Sequence, residues 1–393
     1  MKNKKYLDNV VALKKEIYGI DFDDIENMDV GYQSLYSLVS ANILTYMPEI
    51  NIENHFKILQ DIQFHRSLCS LDQYFLIDNL KINDRFRVIE KSKNVGHIFV
   101  TYHTGSYRMF NKHLTINNIS YCLVTEEVFI KKQGKMVQKL YNEVSKDSNK
   151  KLEILSANNP RLIFELIKRL KKGISVVFYI DGNTGSTEKK LRENKNLLKI
   201  NFLNHHIYAR QGIAFLAYLS KAPMAIAIAK RDKNLNNIIQ INPVKTVELL
   251  QNHNRNEFIN IITQKLYGKL EKFLINNYEQ WEGWFYIHKF FETKISSENL
   301  ISKEEVSSNK AIKFVTLVIN QFIHLIKYDD NHIFLIKKDD YQIMKITNFL
   351  YNLLFFFKKP ITITPNKSLL IDNKKINWNI VTELIDMNYL KKI

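Results

Sequence analysis

The spacing of apolar positions changes character along the chain. Through residues 1–95 they recur at helical intervals among polar residues, most clearly from Tyr32 to Met47 and from Phe56 to Leu76. This predicts a helical lead-in over 1–90 that packs on the core. After Gly96 the pattern becomes continuous: His97-Ile98-Phe99-Val100-Thr101-Tyr102 is apolar and partly β-branched, as a buried strand should be. Ile119 to Val124 and Leu152 to Leu155 read as two further strands. Asn159-Pro160 then opens a helix with Leu162, Ile163, Leu166, Ile167 and Leu170 on one face, and Gly173 ends it. Ile174 to Ile180 is almost wholly apolar, which places it centrally in a parallel sheet. A helix from Gln211 to Ser220, a strand from Met224 to Ala229 after Pro223, and a strand from Ile238 to Ile241 complete the series. Alternating strands and helices predict an α/β domain over 91–295, with a mainly parallel central sheet flanked by helices.

Residues 296–310 are polar and read as a linker. Beyond it, apolar runs at 322–327 and 332–337 flank Tyr328-Asp329-Asp330-Asn331, a hairpin signal. A helix over about 340–357, a paired segment at 361–371 turning at Pro365-Asn366, and an amphipathic segment from Trp378 to Met387 follow. That order fits a small winged-helix-like α+β module over 311–393.

Composition narrows the classes. Aromatic residues make up 12% and charged residues 25%, enough for a real core and too apolar for a disordered chain. Two cysteines, Cys69 and Cys122, are too few for a disulfide scaffold or a cysteine-based zinc site. No metal is expected. The basic N-terminus lacks the apolar stretch of a signal peptide, and no segment approaches the ~20 apolar residues of a bilayer span. The net charge of +17 points to an anionic partner: nucleic acid, a membrane surface, or an acidic carrier or substrate. The excess is mostly Lys and spread along the chain, which disfavours a dedicated nucleic-acid protein.

Four segments stand in a suggestive order. Tyr102-His103-Thr104-Gly105-Ser106-Tyr107-Arg108 follows one buried strand, and Asp181-Gly182-Asn183 follows another. Arg210-Gln211-Gly212-Ile213-Ala214 opens a helix, and Ala222-Pro223 leads into a strand ending at Lys230-Arg231. The last is Glu279-Gln280-Trp281-Glu282-Gly283-Trp284-Phe285-Tyr286-Ile287-His288. Over about residues 30–292 this series resembles the late lipid A biosynthesis acyltransferase family, of the lysophospholipid acyltransferase-like superfamily. That family has a strand followed by His-Phe-Gly-Asn-Trp-Glu, a strand ending near an Asp, an Arg-Gly helix, a Pro-led strand ending in Arg, and a Glu-Gln-Trp…His segment.

The resemblance implies transfer of an acyl group from an acyl carrier protein or CoA thioester to a hydroxyl or amine. No cofactor beyond that co-substrate is implied. A hydroxyl is a poor nucleophile at neutral pH, so a His must take its proton during attack. His103, at a strand end, is the expected general base. The family's acid, five residues on, is Arg108 here, which cannot accept the His N–H and disfavours an imidazolium. Either another carboxylate takes over, or the chemistry has changed, or activity is lost. Asp181 is the best substitute, ahead of Glu126 and Glu127. Thr104 and Ser106 are expected to donate to the thioester carbonyl, while Arg108, Asn183, Arg210 and Arg231 would line the substrate groove, the latter two binding an anion.

Other features have plainer readings. His97, His113, His205, His206 and His288 lack the strand-end context and read as structural. Trp281, Trp284, Phe285 and Tyr286 read as a packed helix end in preference to a base-stacking platform. Lys131, Lys132, Lys135 and Lys139 fall on or near one helical face: a solvated surface, or a dock for an acidic carrier or anionic headgroups. Members of the family carry an N-terminal anchor that is not evident in this sequence. The expected location is therefore cytoplasmic, peripheral on the inner face of the membrane, with a peptide or carrier-bound acceptor. The reading from a different class is a non-catalytic acyl- or peptide-binding module of lipid or natural-product biosynthesis.

Overall fold

The structure is a computed structural model that describes residues 4–21, 30–75, 80–145, 151–182, 196–290, 315–320, 323–329, 332–337, 343–363, 369–371, 374–376 and 378–392. The linker expected over 296–310, Asn183 and the Pro365-Asn366 turn lie outside the described residues.

The chain forms two units. The first takes described residues up to 21, then 53–182 and 196–290. In chain order the elements up to residue 125 are α1 (Lys4–Tyr18), α2 (Val30–Tyr46), α3 (His55–Asp72), β1 (Lys81–Asn83), α4 (Val88–Ser92), β2 (Ile98–Thr101), α5 (Arg108–Ile116) and β3 (Tyr121–Thr125). Then come α6 (Glu127–Val144), β4 (Leu152–Ser156), α7 (Leu162–Lys171), β5 (Ser175–Tyr179), β6 (Leu197–Phe202) and β7 (His205–Arg210). The unit closes with α8 (Gly212–Ser220), β8 (Met224–Arg231), β9 (Asn237–Val244), α9 (Val247–Asn252) and α10 (Arg255–Asn277). The central sheet has seven strands in the order β1-β9-β8-β2-β5-β3-β4. All its pairings are parallel except β8 with β9. The α/β class and mainly parallel sheet thus match the alternation in the sequence.

The core explains the order. β2 is buried along its whole length between β5 and β8, and Phe99, Val177, Ala225 and Ile239 pack with Phe110 and Leu114 of α5. Each of these side chains larger than alanine contributes about 1.5–3 kcal/mol on burial, so the continuous apolar runs go to the centre. α7 starts at Leu162, two residues beyond Pro160, because the Asn159 side chain instead accepts the Arg161 N–H at 2.9 Å. The β6–β7 hairpin was not legible in the sequence: its turn uses Leu203 at φ +50°, where glycine or asparagine is the usual signal.

The second unit takes residues 30–52 and the described residues from 315 on. Helix α2 therefore groups with the C-terminal part, whereas the lead-in expected over 1–90 was read as one segment. Its Leu38 and Ala41 pack on Ile336, and the Ser34 hydroxyl lies 3.2 Å from His324 Nδ1. The remaining elements are β10 (Val315–Ile319), β11 (Ile323–Asp329), β12 (His332–Lys337), β13 (Ile343–Lys345), α11 (Asn348–Phe356), β14 (Ile361–Ile363), β15 (Leu369–Ile371), β16 (Lys374–Ile376), α12 (Trp378–Asp386) and β17 (Leu390–Lys392). They form sheets β14-β10-β17 and β11-β12-β13 around a core that includes Leu317, Leu335, Leu354 and Leu384. The hairpin read at 322–337 is β11–β12.

Candidate active site

β2 and β5 are neighbouring parallel strands, with Thr101 opposite Tyr179. His103 and Asp181 each stand two residues beyond that last pair, so the register delivers both to one rim. There His103 Nδ1 lies 2.9 Å from Asp181 Oδ1. The His103 peptide N–H also donates to both carboxylate oxygens, at 3.1 and 3.0 Å. Trp281 Nε1 donates to Asp181 Oδ2 at 2.7 Å. A carboxylate held by three donors is fixed in place. Because it can only accept, the imidazole carries its proton on Nδ1. Among the described residues no hydrogen bond is made to Nε2, which leaves that lone pair open.

The surroundings tune the imidazole. Rings of Tyr107, Tyr179 and Tyr286 stand 4.8, 5.0 and 6.5 Å from it, centroid to centroid. Burial by these walls pushes His103 toward the neutral form. The charge and hydrogen bond of Asp181, helped by Glu282, outweigh burial and the opposing Arg108, and hold the imidazole above its ordinary range.

The 280–286 segment closes the site from the far end of the chain. Thr104 bridges Trp281 in antiparallel fashion, the Glu282 N–H donates to the His103 carbonyl at 3.0 Å, and the Gly105 N–H donates to the Gln280 carbonyl at 2.9 Å. Gly105 has φ +51°, and a Cβ there would meet the Lys230 Cα at 2.8 Å, so only glycine lets the turn rest on β8. At Gly283 a Cβ would lie 2.0 Å from the Trp281 ring. Gly283→Ala is therefore expected to push the indole off Asp181 and destabilise the unit by about 1–3 kcal/mol. A Tm unchanged from the parent would show that the ring has room the structure does not give it.

The other residues singled out in the sequence fall in different places. Arg231 is a correction. It was expected to bind an anion in the groove, but its side chain is fully buried and its Nη2 donates to the equally buried Asp72 at 2.7 Å. Ser106 is a second correction. Its hydroxyl donates to Asp72 at 2.6 Å and is committed away from any thioester carbonyl. Thr104 is also buried, and among the described residues its hydroxyl has no partner. Arg108 starts α5 half-buried, with its guanidinium 5.7 Å from the Tyr107 ring. Arg210 is exposed at the end of β7. Glu127 pairs with Lys131 at 2.7 Å on the surface of α6, so it is engaged there. Lys139 lies 3.9 Å from Glu143, which with the Glu127 pair offsets charge on the lysine face.

Trp281 and Trp284 are buried with ring centroids 5.0 Å apart, so neither offers an open face to a base. His97 stacks on Phe99 in the interior, and His205 and His206 are exposed on β7. Three contributors were missed: Asp72, Glu282 and the Trp281 N–H. Glu282 is mostly covered, its Oε2 lies 3.9 Å from Arg66 Nε, and burial raises its carboxyl above the usual range against the pull of His103, Arg66 and Arg108. Among the described residues no three His, Cys, Asp or Glu side chains group as metal ligands, and no helix is long and apolar enough to cross a membrane.

A scan against protein-family models finds no match, and neither does a search of curated proteins.

Proposed function

We propose that the chain is an acyltransferase of the kind its motif order resembles, moving an acyl chain from an acyl carrier protein or CoA thioester to a hydroxyl or amine. The observation that carries this reading is the His103–Asp181 pair, 2.9 Å apart at the rim of a parallel sheet with Nε2 left open. Asp181 takes the role of the family's acid, which answers the departure at Arg108. In the step, Nε2 removes the acceptor's O–H or N–H proton as the acceptor's lone pair forms the bond to the thioester carbonyl carbon. The C–S bond then breaks, and the imidazolium returns the proton to the leaving thiolate. Arg210, exposed at the end of β7, serves the donor's phosphate. Residues 311–393 are read as a winged-helix-like module, and the acceptor as a peptide or a carrier-bound intermediate. The protein works in the cytoplasm, peripheral to the inner face of the membrane.

The test is intact-mass analysis of the full chain and its carrier after incubation with acyl-CoA or acyl carrier protein and a panel of amine and hydroxyl acceptors. Transfer to an acceptor supports the reading. Retention of the acyl chain without transfer or hydrolysis supports the other class, a binding module, which the positive charge of Arg108 beside His103 favours. Arg108→Glu separates the two roles of that position. Restoring an acid should raise or preserve transfer if Arg108 only opposes the imidazolium. It should reduce transfer by about tenfold or more if Arg108 holds an anionic part of the substrate, since a charge-assisted contact is worth about 1.5–3 kcal/mol.

A further inference from the structure

Behind His103 lies a set of buried polar groups that no step of the proposed chemistry uses. Asp72, the last residue of α3, is fully buried and accepts from Tyr6 Oη at 2.7 Å, Ser106 Oγ at 2.6 Å, Arg231 Nη2 at 2.7 Å and Asn237 Nδ2 at 3.1 Å. Arg231 Nη1 reaches the His65 carbonyl at 3.3 Å and His65 Nδ1 at 3.2 Å. Burial, with the charges of Arg231 and Lys57, drives His65 down to about 3, so it stays neutral and can accept there. The Gln280 amide clamps the Arg231 backbone at both ends, accepting its N–H at 2.7 Å and donating to its carbonyl at 3.0 Å.

Two arms of this cluster lead back to the dyad. Ser106 lies three residues after His103 in the same turn. Gln280 accepts the Gly105 N–H and precedes Trp281, which holds Asp181. Taking two charges out of water is costly, and well-packed apolar residues often serve stability as well or better. A pair placed where its ligands end at both members of the dyad has a use besides stability.

We propose that Asp72 is a positioning residue: through Ser106 it fixes the turn that carries His103, and through Arg231 and Gln280 it fixes the segment that carries Trp281, so that Nδ1 meets Asp181. The catalytic consequence rests on the reading of His103 as general base; the positional consequence does not.

The experiment tracks the His103 ring by NMR in the full-length, histidine-labelled protein, its signal assigned by loss in His103→Ala. The groups facing the ring are Asp181, Glu282, Arg108 and the three tyrosines, and all remain in the variants used. In Ser106→Ala, which removes one buried hydroxyl and leaves the ion pair, the His103 midpoint should fall because the contact with Asp181 loosens. If the chain transfers acyl groups, kcat should drop by up to ~10²-fold with KM for the thioester nearly unchanged, as expected when a reacting group is displaced by about 1 Å. Asp72→Asn should move the midpoint the same way and further. Should Asp72→Asn fail to fold, Ser106→Ala still decides. A His103 titration in folded Ser106→Ala that superimposes on the parent's, with only Tm lowered, overturns the proposal. A shifted midpoint in a protein that transfers nothing keeps Asp72 as a positioning residue and removes the acyltransferase reading alone.

Discussion

His103→Ala is expected to lower acyl transfer by about 10²–10⁴-fold, the usual contribution of a positioned general base, with little change in Tm. The loss follows from the geometry of Nε2, the one nitrogen of the ring not held by Asp181. Without it, an acceptor hydroxyl must give its proton to water as it attacks. The fold should stay intact because the imidazole sits at the rim with 21% of its side chain exposed, so its removal opens a solvent-facing gap and no core cavity. Asp181 would keep the Trp281 indole and the residue 103 peptide N–H as donors, so it is not left as an uncompensated buried charge. The measurement is single-turnover transfer from a labelled acyl thioester, paired with a thermal melt. Full transfer by His103→Ala would falsify the proposed mechanism, because transfer would then proceed without the base it names.

The parts of this site that could be read in the sequence are those carried by continuous apolar runs. β2 and β5 are unmistakable in composition, and two parallel neighbours of that kind deliver the residues after their C-terminal ends to the same edge. His103 and Asp181 were legible as a pair for that reason. Arg231 and Ser106 were misread because a polar residue at an element end looks solvated until its partner is known. Their partner, Asp72, ends a helix more than thirty residues from either of them. Nothing local distinguishes Asp72 from any surface carboxylate. Glu282 was not legible because its approach to His103 depends on a backbone contact between segments distant in sequence. The grouping of α2 with the C-terminal residues was not legible for the same kind of reason: its apolar residues show that it is buried without showing against what, and Leu38 and Ala41 pack on Ile336.

Asp181→Asn is the substitution with the most distinctive signature. In the parent, burial depresses the His103 imidazole, and the Asp181 charge and hydrogen bond more than reverse that, leaving it above the ordinary 6.5. A general base must be neutral, so the rate of transfer should climb with pH through an apparent pKa above that value. An asparagine keeps the shape but not the charge. Burial and Arg108 then prevail, and the rising limb should move to lower pH. The rate on the plateau should still fall by about 10²–10⁴-fold, because the amide can donate to Nδ1, fixing the wrong tautomer, and gives the imidazolium no countercharge. The same linkage has a stability side with a definite sign. A folded-state imidazole titrating above its unfolded value stabilises the protein fully below about 6.5, and the effect disappears as pH rises through the folded value. The Tm advantage of the parent over Asp181→Asn should thus shrink over that interval. A limb that stays in place in the variant would mean that His103 is not the group whose ionisation controls the reaction.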